Sequence, residues 1–207
     1  MLQEMFFPTM IFYRDLDGAE QQNNLLKQRI YHWQEQDKTG IHRSNVKRVG
    51  SWHSRLDMNK RPEYAWISEQ VLDCAQHIFN ALDYDPGRRP EIDNMWANIN
   101  PRYAYNRSHS HPNTLWSGVY YVQTPENCGR IYFSDPRVQA QVMTPRYNPG
   151  NSRKSQLWSE VYYEAIAGRI IIFPAWLLHE VEPNMSELSG PAGNRISISF
   201  NIYQRLQ

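Results

Sequence analysis

The chain has 207 residues, 41% of them hydrophobic and 13% aromatic, which suits one folded domain with a sizeable core and leaves little room for a second independent one. A formal net charge of +1 removes the bulk electrostatic case for a nucleic-acid binder. Two cysteines, Cys74 and Cys128, lie outside any C-x-x-C pair and cannot build a disulfide framework; with no export signal and no apolar run of membrane length, a soluble cytoplasmic protein is expected.

The FFPTMIFY run, interrupted by Pro8, reads as a strand entering the core. Asp17 and Glu20 have capping-box spacing and precede a segment with Leu26, Ile30 and Trp33 on one helical face. A polar connection runs from about Asp37 to Arg61. Pro62 then opens a second helix with the stripe Ile67, Val71, Cys74, Ile78 and Leu82, and the Asp85-Pro86-Gly87 cluster ends it.

From Ile92 the pattern changes to short runs rich in Ile, Val, Tyr, Phe and Trp between turn residues: MWANI, WSGVYYV, RIYFS, EVYYEAI, GRIIIFP, LLHEV and RISISFNIY. Two helices followed by many turn-separated strands predict a mainly β, α+β fold, with residues 1–90 as an N-terminal strand and helical buttress and residues 91–207 as an antiparallel core, within one domain over 1–207. Alternation in the last run puts Ile196, Ile198, Phe200 and Ile202 on one face and Arg195, Ser197, Ser199 and Asn201 on the other. The apolar face is expected under the helices, the polar face either in solvent or lining a barrel mouth. The stretch between Asp135 and Ser159, rich in turn residues, reads as a long loop, either a lid over the substrate entrance or a surface excursion.

Of seven histidines, His32, His42, His53 and His77 stand alone and read as surface or structural groups. His109 and His111 form an H-x-H pair, and His179 lies on a separate predicted strand. On an extended segment residues i and i+2 share a face, so two imidazoles can converge on one ion, and a third from a strand across the sheet completes a facial set with open positions. That arrangement is the pattern of non-haem iron(II) oxygenases. Arg195, on the strand after His179, offers a fork suited to a carboxylate, although an ordinary surface arginine fits the pattern too. The aromatics Trp116, Tyr120 and Tyr121 belong either to a pocket or to the core.

The runs HSHPNTLWSGVYYV, GRIYFSDPR, GRIIIFPAWLLHEVEP and RISISFN, with RSNVKRVGSWHSR upstream, resemble a 2-oxoglutarate/Fe(II) oxygenase family of bacteria and their phages. More distantly, the chain is similar to the prolyl-hydroxylase-like branch of that superfamily. The resemblance covers nearly the whole chain. It implies a double-stranded β-helix (jelly-roll) barrel that holds Fe(II) and uses 2-oxoglutarate as co-substrate. His109 and His179 match metal ligands, and Arg195, assisted by Ser197, matches the residue that binds the distal carboxylate of 2-oxoglutarate. His111 stands where the superfamily commonly has Asp or Glu, so the third ligand is His111, a carboxylate such as Asp135, or water. The implied activity is a dioxygenase that hydroxylates a small-molecule, peptide or protein substrate and releases succinate and CO2. Two other readings are a three-histidine cupin-type dioxygenase that needs no 2-oxoglutarate and a non-catalytic jelly-roll binding module.

Overall fold

The computed structural model describes residues 1–44, 47–150 and 153–206, so two positions each of the predicted polar connection and the predicted long loop lie outside the described residues. Among the described residues, ten strands form two antiparallel sheets. The larger holds β1 (Phe12–Asp15), β8 (Arg169–Pro174), β5 (Trp116–Gln123), β10 (Arg195–Leu206), β3 (Arg88–Asn100) and β2 (Trp52–His53), in that order. The smaller holds β4 (Asn106–His109), β9 (His179–Val181), β6 (Ile131–Ser134) and β7 (Glu160–Tyr163). This is the mainly β, jelly-roll architecture expected, with α1 (Ala19–Gln36), the single turn α2 (Gly40–Arg43) and α3 (Ala65–Ala81) ahead of most of the strands. No helix among the described residues is long and apolar enough to cross a membrane.

Two apolar clusters follow from strand alternation. Leu26, Ile30 and Trp33 of α1 and Ile67, Val71 and Ile78 of α3 join Ile196, Ile198, Phe200 and Ile202 of β10 in the main core. Those four β10 side chains are all 0% exposed, and full burial of such a side chain contributes about 1.5–3 kcal/mol. A smaller cluster, including Val119, Tyr121, Phe173, Ile131 and Phe133, lies between the two sheets. Trp116 and Tyr120 belong to the main core, whereas Tyr121 turns to the space between the sheets. The polar face of β10 is therefore not solvated: Arg195, Ser197 and Asn201 are buried.

Several local readings need correction. The predicted capping box at Asp17 does not form; Gly18, at φ 65°, is the N-cap of α1, with no side-chain cap, because the left-handed turn there leaves Asp17 one residue too early. Pro62 opens a 3₁₀ turn, Pro62–Tyr64, that leads into α3. That helix stops at Ala81, ahead of Asp85-Pro86-Gly87, where the Asp85 side chain instead accepts from the Gly87 amide at 2.9 Å. The polar connection is structured: buried Asp37 accepts from Thr39 Oγ1 at 2.6 Å and from Arg43, its carbonyl accepts from Trp52 Nε1 at 2.8 Å, and β2 pairs His53 with Asn98 of β3. Cys74 and Cys128 are buried free thiols.

Close packing within the larger sheet demands a glycine at 118, the cross-strand partner of Phe200 on β10. A Cβ there would meet the Phe200 ring at 2.4 Å and the Ile171 carbonyl oxygen at 2.7 Å, and backbone cannot yield as a flexible side chain does. Gly118→Ala is expected to destabilise the protein by about 1–3 kcal/mol, read as a lower urea midpoint at unchanged slope. A wild-type midpoint would show that the sheet absorbs the methyl group freely.

Candidate metal centre

The three histidines that converge come from one strand pair and the turn beyond it. β4 runs antiparallel to β9, and His109 is the direct cross-strand partner of His179. His111 lies two residues past the end of β4, where its amide donates to the Ala175 carbonyl at 2.8 Å and ties that turn to the end of β8. Ring centroids are 4.3 Å apart for His109–His179 and 5.2 Å for each pair that includes His111. One ligand atom from each ring lies within 4.8 Å of the others.

Protonation and orientation fit a metal. Nδ1 of His109 donates to the Arg107 carbonyl at 2.6 Å, and Nδ1 of His179 donates to the Leu177 carbonyl at 2.9 Å. A carbonyl oxygen can only accept, so both protons sit on Nδ1 and both Nε2 lone pairs are left for an ion. Phe133 and Phe173 pack on His179, with centroids at 6.0 and 4.6 Å, and bury it. Burial, reinforced by the neighbouring His109, pushes His111 down to about 4; the same two causes push His179 down to about 3. Both are neutral imidazoles at physiological pH, as metal ligation requires.

Asp135 is not part of this group. It directly follows Ser134, the last residue of β6, but its carboxylate accepts two hydrogen bonds from the Arg137 guanidinium and one from the Arg137 amide, at 3.0 Å each, and its own amide donates to the Ser159 carbonyl at 2.9 Å. Among the described residues, the metal-competent cluster is His109, His111 and His179 with no carboxylate.

A cavity of about 280 Å³ adjoins the histidines. Its walls carry Asn98, Asn100, Ser197, Ser199, Tyr121 and Arg195, and none of its described lining residues is acidic. Arg195 is 1% exposed, far from an ordinary surface arginine. Its Nη1 donates to the carbonyls of Cys128 and, at 3.1 Å, Glu182, whereas its Nη2 is buried without a partner. Gly129, at φ 90°, permits this cradle: a Cβ there would meet the Glu182 oxygen at 2.6 Å and Arg195 Nη1 at 2.9 Å. The sequence gives no signal for that glycine's role, which depends on a carbonyl from another strand end. Among the described residues, none between Asp135 and Ser159 lines the cavity.

The fold and this centre together define a class: non-haem metal oxygenases built on a double-stranded β-helix, here with a cluster of three histidines that could hold the metal. Residues 94–201 match the family model described as "Putative 2OG-Fe(II) oxygenase", about half of the chain, and the protein belongs to that family. It is a 2-oxoglutarate/Fe(II)-dependent oxygenase. Solved structures share the fold at low identity. A Pseudomonas putida prolyl-4-hydroxylase is 15% identical over 95% of this chain and 94% of its own, with a TM-score of 0.59. The α-ketoglutarate-dependent carbocyclase SnoK from nogalamycin biosynthesis is 11% identical over 94% and 79%, with a TM-score of 0.66. The epimerase SnoN, solved with Fe3+, α-ketoglutarate and nogalamycin RO, is 12% identical over 96% and 82%, with a TM-score of 0.61. No curated protein matches the sequence.

The depressed histidine pKa values set a pH dependence for the metal-free protein. Unfolded histidines protonate near pH 6.5, well above the values of His111 and His179 in the fold, so the unfolded state gains protons first. Their contribution is fully present above about pH 6.5 and is lost as pH falls toward 4 and then 3. Urea midpoints of the chelator-treated protein are expected to drop across this window, and His111→Gln with His179→Gln to flatten the slope. An unaltered slope in the double variant would assign the acid sensitivity elsewhere.

Proposed function

We propose that the protein is a hydroxylase in which His109, His111 and His179 hold Fe(II), Arg195 anchors the distal carboxylate of 2-oxoglutarate with Ser197 assisting, and an uncharged polar substrate is oxidised with release of succinate and CO2. The observation that carries this reading is the buried, unpartnered Nη2 of Arg195 on a residue that lines the same cavity as the three histidines. A buried guanidinium without a counter-ion is costly, and a carboxylate guest offsets that cost. An iron oxygenase without 2-oxoglutarate would leave this nitrogen with no partner.

Held by His109, His111 and His179, Fe(II) would supply the activation of O2, one oxygen atom going to the substrate as hydroxyl and the other to succinate as CO2 leaves. The chain's own residues do the positioning. His109 and His179 are locked by their carbonyl partners, and Phe133 and Phe173 keep water from His179. Tyr121, the cross-strand partner of Ser197, brings a second hydroxyl to the Arg195 side of the cavity. Amide and hydroxyl walls without a carboxylate favour a neutral substrate over a cationic one. Solved structures of this fold include a prolyl-4-hydroxylase and a carbocyclase, so the cavity walls rather than the fold select the substrate.

Three neutral imidazoles leave the charge of a divalent ion uncompensated, and dianionic 2-oxoglutarate supplies it, so each is expected to tighten the other's binding. In anaerobic titrations, Arg195→Ala should keep the wild-type Fe(II) affinity measured alone. It should lose about 2–5 kcal/mol of 2-oxoglutarate binding and most of the mutual enhancement. Arg195→Lys should recover little, since a point charge does not replace the fork. Admitting air to the loaded wild-type protein should yield succinate. Full 2-oxoglutarate affinity in Arg195→Ala would remove this assignment.

A further inference from the structure

His109 and His179 each have a backbone carbonyl that fixes the ring, but no hydrogen bond holds the His111 ring among the described residues. Rings hold it instead. His111 stacks with His179 at 5.2 Å and 9°. It also stacks with Trp96 of β3 at 6.2 Å and 27°. Trp96 in turn stacks with His53 of β2 at 5.5 Å and 11°. The order His53, Trp96, His111, His179 is thus a ladder of near-parallel rings that ends at a metal-competent histidine.

Both ends of the ladder are anchored. His179 Nδ1 donates to the Leu177 carbonyl, and His53 Nδ1 donates to the Ser54 carbonyl at 2.6 Å. Ser54 is itself fastened to β3, with its amide on the Ala97 carbonyl and its hydroxyl accepting from the Ala97 amide, each at 2.9 Å. Trp96 is placed by strand alternation: Met95 and Ala97 enter the main core at 0% exposure, which turns 96 to the cavity side.

We infer that Trp96, backed by His53, is the positioning residue for His111, replacing by stacking the hydrogen bond that orients the other two ligands. The inference rests on the reading of His111 as a metal ligand. Aromatic pairs prefer a limited set of relative orientations, so an aliphatic side chain at 96 would fill space without fixing the ring angle.

The test is anaerobic Co(II) titration of the whole protein, with dissociation constants and the visible ligand-field band both recorded. Trp96→Phe keeps a ring and is expected to stay near wild type. Trp96→Leu is expected to weaken Co(II) binding by about tenfold, the lower end of the range for groups that orient metal ligands, and to alter the band. His53→Leu is expected to shift the band in the same sense by a smaller amount. Wild-type affinity and band in Trp96→Leu would overturn the inference; should that variant not fold, an unaltered band in His53→Leu would do so. A His111→Ala arm separates the two levels of the argument. Lost affinity there upholds the ligand reading, whereas wild-type affinity and band would remove His111 from the metal, and the role of Trp96 with it.

Discussion

Everything in this molecule hangs on the two-residue alternation of β10. With β3 on one side and β5 on the other, its even-numbered residues from Ile196 to Ile202 are forced under α1 and α3. Its odd-numbered residues are thereby forced into the space that the smaller sheet encloses. A polar set consequently sits where a core would otherwise be: Asn98 donates to Ser199 at 3.2 Å, and Asn201 bridges Ser117 at 2.7 Å and Asn94 at 2.8 Å. Buried polar groups persist when they are paired, and here Asn94 and Asn98 of β3, Ser117 of β5, and Ser199 and Asn201 of β10 pair among themselves. Arg195, at the strand's first position, keeps one nitrogen outside this mutual satisfaction.

The smaller sheet has the complementary task of bringing histidines together. Pairing β4 with β9 sets His109 against His179, and the same β9 pairs with β6, which sets Phe133 beside His179 as a dry neighbour. A carboxylate ligand would lower the charge of a bound divalent ion, yet Asp135 is spent on Arg137 at the far end of β6. On the reading proposed above, an anionic guest would supply the charge that a carboxylate ligand otherwise brings, and would couple the metal to the cavity.

Much of this was legible where a short-range pattern carried it. Once Ile196 and Ile198 are assigned to the core, Arg195 and Ser197 must share the opposite face, and the stripe from Ile67 to Ile78 fixes which side of α3 is buried. Features that depend on distant partners were not legible. β2 is two residues long, too short to show a period, yet it supplies His53. The spacing of Asp17 and Glu20 suited a cap, but spacing cannot register the left-handed turn at Gly18. Asp135 was correctly placed at a strand end; whether its carboxylate faced a metal or the arginine two residues on is a contest between side chains that no periodicity records. The composition of the 135–159 stretch marks a loop but carries nothing about which cavity it borders.

The cradle of Arg195 uses peptide oxygens rather than side chains. Neither the thiol of Cys128 nor the carboxylate of Glu182 takes part in it; the carboxylate instead faces Arg130, at 2.9 Å. The hydrogen bonds that hold the guanidinium therefore depend on the backbone path at residues 128 and 182 rather than on their side chains. Gly129 is constrained at the side chain itself, because a single added carbon would occupy the space in which the carbonyls and the arginine meet. An innermost group is thus guarded by a residue with no side chain, among neighbours whose side chains take no part in holding it.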